Sequence, residues 1–192
     1  ESGAFRFRFD QIPSAIGFIA GSVLSAILLV LDGHRTWRDA GQDAVEFALR
    51  AIGVPYITLN PGASFRGFHD SLVNYLGNTR PQMLLCLHEE SAVAIAHGFA
   101  KASGSMMAVA VHSNVGLLHA SMAMYNAWCD RVPMLIFGAN GPADANERRP
   151  WIDWIHSTSD MGAMIRDYTK WDDSPTSVPA AFESVLRAYQ IT

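Results

Sequence analysis

The sequence predicts an α/β domain built on a parallel sheet with helices on both faces, preceded by an extra apolar helix. Three observations carry that prediction. From Gly41 onward, short apolar runs alternate with segments of helical periodicity, the pattern of βαβ units. Gly and Asn-Pro signals punctuate the alternation at the expected boundaries. The composition, 49% hydrophobic and 17% charged over 192 residues, suits one packed domain rather than a disordered chain.

The elements follow in order. Ile12 to Leu31 holds 20 residues without a charge, 14 of them Ala, Val, Ile, Leu or Phe. Its length matches one hydrocarbon thickness, and Gly17 and Gly21 give the GxxxG spacing of close helix pairs. Residues 1–40 are therefore an N-terminal extension whose segment 12–31 is either a membrane anchor or a buried helix. Residues 41–192 form the α/β domain. Gln42 to Ile52 reads as a helix with Val45, Ala48, Leu49 and Ile52 on one face, stopped by Gly53. Val54 to Leu59 is a strand, and Asn60-Pro61-Gly62 is a turn. Phe65, Phe68, Leu72 and Leu76 mark the next helix face. After Pro81 comes a strand over Met83–Leu87, then a helix from about Glu90 to Ser103, closed by Gly104. Met106 to Val111 is the third strand, about Leu117 to Cys129 the next helix, and Met134 to Phe137 the fourth strand. Residues 141–175 read as a long irregular connection rich in Trp, and Pro179 to Gln190 as a last helix.

Composition also narrows function. Fourteen Lys and Arg against 18 Asp and Glu leave a net charge of −4 with no basic stripe, so no nucleic-acid partner is expected. Cys86 and Cys129 form no CxxC pair and read as reduced core thiols, consistent with a cytoplasmic protein. The seven histidines show no metal-ligand spacing with cysteines, so no metal site is expected. Neither GxGxxG nor GxxxxGK[ST] occurs.

A parallel sheet places every loop that follows a strand at its carboxyl edge, where ligands of open α/β sheets bind. Three such loops are Asn60-Pro61-Gly62-Ala63-Ser64, His88-Glu89-Glu90 and His112-Ser113-Asn114-Val115-Gly116. They lie far apart in sequence yet should share one rim. Glu89 is the informative residue. An apolar strand gives way to a helix there, so desolvation favours the protonated acid while the helix N-terminus favours the anion. A carboxyl so balanced can share a proton with a ligand. The competing reading is a plain helix-start residue, which is also the reading of Glu90.

The run Leu87-His88-Glu89-Glu90-Ser91-Ala92 through Gly98-Phe99-Ala100 to Gly104 resembles the R-H-E-x-x-A-x-x-x-A-x-G-Y-A-x-x-x-G signature of thiamine-diphosphate enzymes. That signature belongs to the pyrimidine-binding domain of the acetolactate synthase and benzoylformate decarboxylase family. Asn60-Pro61-Gly62 resembles the turn after the family's first strand. His112-Ser113-Asn114-Val115-Gly116 resembles the loop written H-S-A-A-G in benzoylformate decarboxylase and S-G-P-G in synthases. Asp130-Arg131-Val132-Pro133 and Thr169-Lys170 resemble two later family segments. The match runs in order from about Gly41 to Thr192.

The resemblance implies roles. Thiamine diphosphate is the cofactor. The glutamate at the position of Glu89 hydrogen-bonds the pyrimidine nitrogen N1′, and so promotes the imino form that deprotonates thiazolium C2. His112 matches a histidine that handles substrate protons in benzoylformate decarboxylase, and its bland alternative is a loop histidine capping the next helix. The implied catalytic residues are therefore Glu89 and His112. The implied cofactor contacts are Asn60, Pro61, Gly62, Glu89, Ser113, Asn114 and Gly116. His119, where relatives often carry Asn, reads as a helix-face histidine. Trp151, Trp154 and Trp171 either pack or line a pocket. The family's diphosphate motif, G-D-G…N, does not occur in this sequence. The resemblance thus implies that Mg²⁺ and the diphosphate are held by a diphosphate-binding domain of the same or another chain, in a homo- or hetero-oligomer acting on a 2-oxo acid. On that reading this chain alone is inactive. The alternative is a catalytically silent, membrane-anchored binding or regulatory module.

Overall fold

A computed structural model describes residues 48–192. The apolar stretch 12–31, the rest of the extension 1–40 and the first part of the helix expected over 42–52 lie outside the described residues. Residues 48–51 are helical and end at Gly53, whose φ of 79° is open to a residue without Cβ. Among the described residues, no helix is long and apolar enough to cross a membrane.

The described chain forms two compact units. The first comprises residues 48–55, 67–82 and 175–190. Here the segment expected as one helix begins as α1 (Arg66–His69) and widens into a π-helix over Asp70–Tyr75. Phe68 and Leu72 are buried as their helical spacing demands. The last helix, α4 (Val178–Ile191), buries Val178, Phe182 and Val185, an apolar stripe at i, i+4 and i+7.

The second unit comprises residues 56–66, 83–174 and 191–192. Its sheet contains β1 (Tyr56–Leu59), β2 (Gln82–Leu85), β3 (Met107–Ala110) and β4 (Met134–Phe137), in the spatial order β2-β1-β3-β4. β3 runs parallel to both β1 and β4, and Leu59, Ala110 and Phe137 align in register at the carboxyl edge. All four residues of β3 are buried, so both faces of that strand are covered, as parallel sheets require. The order reverses direction between β1 and β3, which makes the gap beyond their carboxyl ends the topological switch point.

Two long helices complete this unit, α2 (Glu89–Ser103) and α3 (Ser113–Cys129). Their buried faces are small. Ala92, Ala96 and Ala100 line α2, and Gly116, Ala120, Ala123 and Ala127 line α3. Side chains of this size let two helix backbones approach closely, and Val93, Val109, Leu117 and Met124 fill the adjoining core. Thr58 Oγ1 donates a buried 3.0 Å hydrogen bond to the Ala92 carbonyl, tying β1 to α2. At the other end of the helices, Asp130 accepts from His97 at 2.8 Å and Lys101 at 2.7 Å. Gly104 closes α2 in the left-handed conformation, φ 68°.

Four expectations need correction. The strand expected over Met83–Leu87 ends at Leu85, and Leu87 is 88% exposed, because β2 is an edge strand and the chain turns there toward α2. The helix expected from Leu117 begins at Ser113, so only His112 of its preceding loop lies before the helix. Cys86 is buried, but Cys129 is exposed on the last turn of α3 rather than a core thiol. Trp151 and Trp154, each 72% exposed, do not pack into the core: Trp154 sits on the short 3₁₀ turn Asp153–His156, and Trp151 in the turn just before it.

Candidate functional site

The sheet brings the three loops onto one rim. β1 delivers Asn60, Pro61 and Gly62, β2 leads through His88 to Glu89, and β3 delivers His112. Their meeting is direct. A methyl group on Gly62 would overlap the His112 ring, and one on Gly116 would stand 3.0 Å from Glu89 Oε1. Only glycine at these two positions lets the loops approach so closely.

Glu89 is the first residue of α2 and only 8% exposed. Its Oε2 lies 2.8 Å from His119 Nδ1 on α3. The Asn60 side chain also hydrogen-bonds the carboxylate. Burial pushes the Glu89 carboxyl up, but the bonds from His119 and Asn60 outweigh it and hold the group below its usual range. The helix N-terminus favours the anion in the same sense. Glu90, one residue along, is exposed.

His112 faces the same space. Burial, followed by repulsion from His156, holds its imidazole below the ordinary value, while Glu89 pulls the other way. Its Nδ1 is buried without a hydrogen-bond partner. The His112 and His156 rings lie 4.8 Å apart between centroids. His88 approaches His119 edge-on at 5.4 Å. Two histidine pairs therefore flank Glu89. Among the described residues, no group of three or more His, Cys, Asp or Glu is placed to hold a metal ion.

Ser113 occupies the left-handed region, φ 56°, and there turns the chain from β3 into α3. Its buried Oγ lies 3.1 Å from the His156 carbonyl oxygen, to which it donates. Asn114 Nδ2 donates to the Ile155 carbonyl at 3.2 Å, and its Oδ1 accepts from the Val115 N–H at 2.9 Å. These side chains pin the Asp153–His156 turn against the loop. That turn is itself held by buried Asp153, which accepts from Arg149 Nη2 at 2.7 Å.

The residues expected at the site thus converge: Asn60 and Gly116 meet Glu89, Gly62 meets His112, and His112 feels the Glu89 charge, while Ser113 and Asn114 shape the loop by bonding to residues 155 and 156. His119 and His156 are the additions. The sequence showed His119 as a helix-face residue. Its spacing of three from Gly116 put it on the face toward Glu89, and that was the available signal. No local signal tied His156, 44 positions away, to His112.

Residues 39–164 match the family described as thiamine pyrophosphate enzyme, N-terminal TPP binding domain. The chain is 35% identical over 104 residues to the acetolactate synthase large subunit of Lactococcus lactis, covering 54% of this chain and 18% of that protein. It is 27% identical over 142 residues to benzoylformate decarboxylase of Pseudomonas aeruginosa, covering 72% and 25% of the two chains. Among solved structures, it resembles benzoylformate decarboxylase from Polynucleobacter necessarius with a TM-score of 0.68 at 22% identity, over 79% of this chain and 27% of that one. A thiamin diphosphate-dependent enzyme from Mycobacterium smegmatis gives a TM-score of 0.66 at 24% identity, over 78% and 27%. The chain therefore spans roughly a quarter or less of the relatives' own length, and the two structural likenesses bear on the fold.

Proposed function

Because the chain belongs to the thiamine pyrophosphate enzyme N-terminal TPP binding domain family, we propose that it forms the pyrimidine side of a thiamine diphosphate site in a 2-oxo acid decarboxylase or acetolactate synthase-like enzyme. The observation that carries the proposal is the buried Glu89 carboxyl at the switch point, with Oε1 turned toward Gly116. A polar group buried with that much geometric support fits a ring nitrogen that accepts or shares a proton. The orphaned His112 Nδ1 in the same recess fits a site completed by a ligand.

When bound, thiamine diphosphate supplies the electron sink for decarboxylation. This chain's residues do the rest of the work on the pyrimidine side. Glu89 holds a proton at the ring nitrogen N1′. The close glycine contacts at Gly62 and Gly116, with Asn60, Pro61, Ser113 and Asn114, set the walls around the ring. His112 holds or moves a proton on the substrate side, where its depressed basicity keeps it neutral near pH 7. A diphosphate-binding domain, of the same or another chain, holds Mg²⁺ and the diphosphate. α3 supports such an assembly, because Val115, Leu118, Met122 and Tyr125 are exposed at helical spacing beside the site.

The test compares neighbouring carboxylates in the assembled enzyme. Glu89→Gln is expected to slow hydrogen–deuterium exchange at thiazolium C2 by about 10²–10⁴-fold, the usual cost of losing a positioned acid–base group. Glu90→Gln removes the same charge from the same helix start and is expected to change little. Equal rates in the two variants refute the assignment.

A further inference from the structure

His69, His97 and His119 each have an acid beside them: Asp70 at 3.3 Å, Asp130 at 2.8 Å and Glu89 at 2.8 Å. His112 and His156 have each other instead. Their ring centroids are 4.8 Å apart and the rings are tilted by 59°. Among the described residues, neither ring forms an ion pair with a carboxylate. Two facing imidazoles repel when both are charged, and an anion beside them offsets that repulsion. The pair therefore lacks a counterion of a definite sign.

His156 is held in place by its main chain. Ser113 Oγ donates to the His156 carbonyl at 3.1 Å, and Asn114 Nδ2 donates to the Ile155 carbonyl at 3.2 Å. At the start of the same turn, buried Asp153 accepts from Arg149 Nη2 at 2.7 Å. The imidazole is thus presented to His112 from a fixed backbone, and a donor positioned in advance loses little freedom when it binds a ligand.

Resting on the reading of His112 as the substrate-side histidine, we propose that His156 binds the carboxylate of the 2-oxo acid, as an imidazolium standing beside a neutral His112. The two rings divide the work. Burial and the neighbouring ring keep His112 uncharged, so the positive charge of the pair falls to His156. His156 then supplies a charged N–H to the carboxylate, the stronger kind of hydrogen bond, and His112 is left to hold or move a proton. The other groups around the pair do not compete for the anion. Glu89, from α2, is itself an acid and is bonded to His119 and Asn60. The loop after β1 brings Gly62, without a side chain, against His112. Ser113 and Asn114 carry no charge, and Asp153 is engaged by Arg149. The contact that matters is made with substrate inside the site and does not depend on bulk water reaching His156.

Oxamate, an unreactive analogue that keeps the 2-oxo acid carboxylate, and oxamide, its uncharged counterpart, serve as probes. In the assembled enzyme loaded with thiamine diphosphate, calorimetry is expected to show oxamate binding that weakens as pH rises from about 6 to about 8.5, the range in which a histidine loses its charge. His156→Gln is expected to weaken oxamate by about 10-fold or more at the acid end, the usual scale for a hydrogen bond to a charged group, and to flatten the pH dependence. Oxamide is expected to show no dependence on His156. The Ser113 bond goes to the main chain of residue 156, so the turn survives the substitution. In the 192-residue chain, histidine NMR is expected to show the His112 titration midpoint rising in His156→Gln, because the repelling ring is gone. The proposal is overturned if the wild-type enzyme does not bind oxamate, or if the His112 midpoint is the same in His156→Gln and wild type. It is also overturned if His156→Gln binds oxamate as tightly as wild type, the result expected were an acid of the diphosphate-binding domain already paired with His156. If Glu89→Gln leaves C2 exchange unchanged, the reading of the site itself falls. A Glu89→Gln loss combined with unaltered oxamate binding in His156→Gln overturns the carboxylate assignment alone.

Discussion

Replacing Gly62 with Ala tests the closeness of the two loops on which the site depends. The backbone of Gly62 is extended, φ −166°, a conformation any residue adopts, so the substitution carries no dihedral penalty. The cost is steric. The new methyl would overlap Cγ and Nδ1 of His112 and lie 2.8 Å from its Cβ. The ring could swing away, but the Cβ is fixed by the backbone, so the loop after β1 and the loop after β3 must part by several tenths of an ångström. Overpacking of this kind costs about 1–3 kcal/mol. For a chain of this length each kcal/mol moves Tm by about 2–4 °C, so a fall of roughly 2–12 °C is expected. Gly98→Ala is the internal control. Gly98 lies within α2 with open space around its position, and Ala there is expected to stabilise by about 0.5–1 kcal/mol. Thermal melts followed by circular dichroism read both. A Gly62→Ala protein that melts at or above the wild-type temperature, while Gly98→Ala behaves as expected, refutes the close approach of Gly62 and His112.

Further predictions concern the same rim. Ser113→Ala removes the buried hydroxyl that donates to the His156 carbonyl while keeping the left-handed backbone, and denaturant unfolding is expected to show a loss of about 1–3 kcal/mol. Ser113→Gly relaxes that backbone and is expected to lose less, by roughly 1 kcal/mol. His112 is held below its ordinary value of 6.5, so the fold favours its neutral form. The corresponding stability is present above pH 6.5 and is lost as pH falls from there through the folded-state value. Melts from pH 8 to 5 are expected to show this slope, flattened in His112→Gln. An unchanged slope in His112→Gln would show that His112 does not carry it.

Much of this protein is written in local pattern. Short apolar runs separated by Gly and Asn-Pro signals placed four strands, and β4 begins and ends at the residues expected, Met134 and Phe137. The reason is physical: a strand in a parallel sheet buries both faces, so it needs a continuous apolar run, and a helix between strands needs a cap and a stop, such as Gly104. The parallel topology in turn dictates that the loops after β1, β2 and β3 share an edge, which is how Asn60, Glu89 and His112 could be grouped without coordinates.

Tertiary structure decided the rest, because it depends on distances between segments that local periodicity does not encode. Whether Leu87 is core or surface follows from β2 lying at the sheet's edge, a fact of strand order. The early start of α3 follows from Ser113 taking a positive φ, which its hydroxyl bond to residue 156 supports. Trp151 and Trp154 are exposed because the 3₁₀ turn Asp153–His156 that carries Trp154, with the turn before it that carries Trp151, is anchored by Asp153 and His156 instead. The state of Glu89 needed both levels. Its place at a strand-to-helix junction was readable from sequence. The sign of its shift was not, because burial and hydrogen bonding oppose each other there, and only the approach of α3 to α2, made possible by small residues on both helices, brings His119 within 2.8 Å to settle the balance.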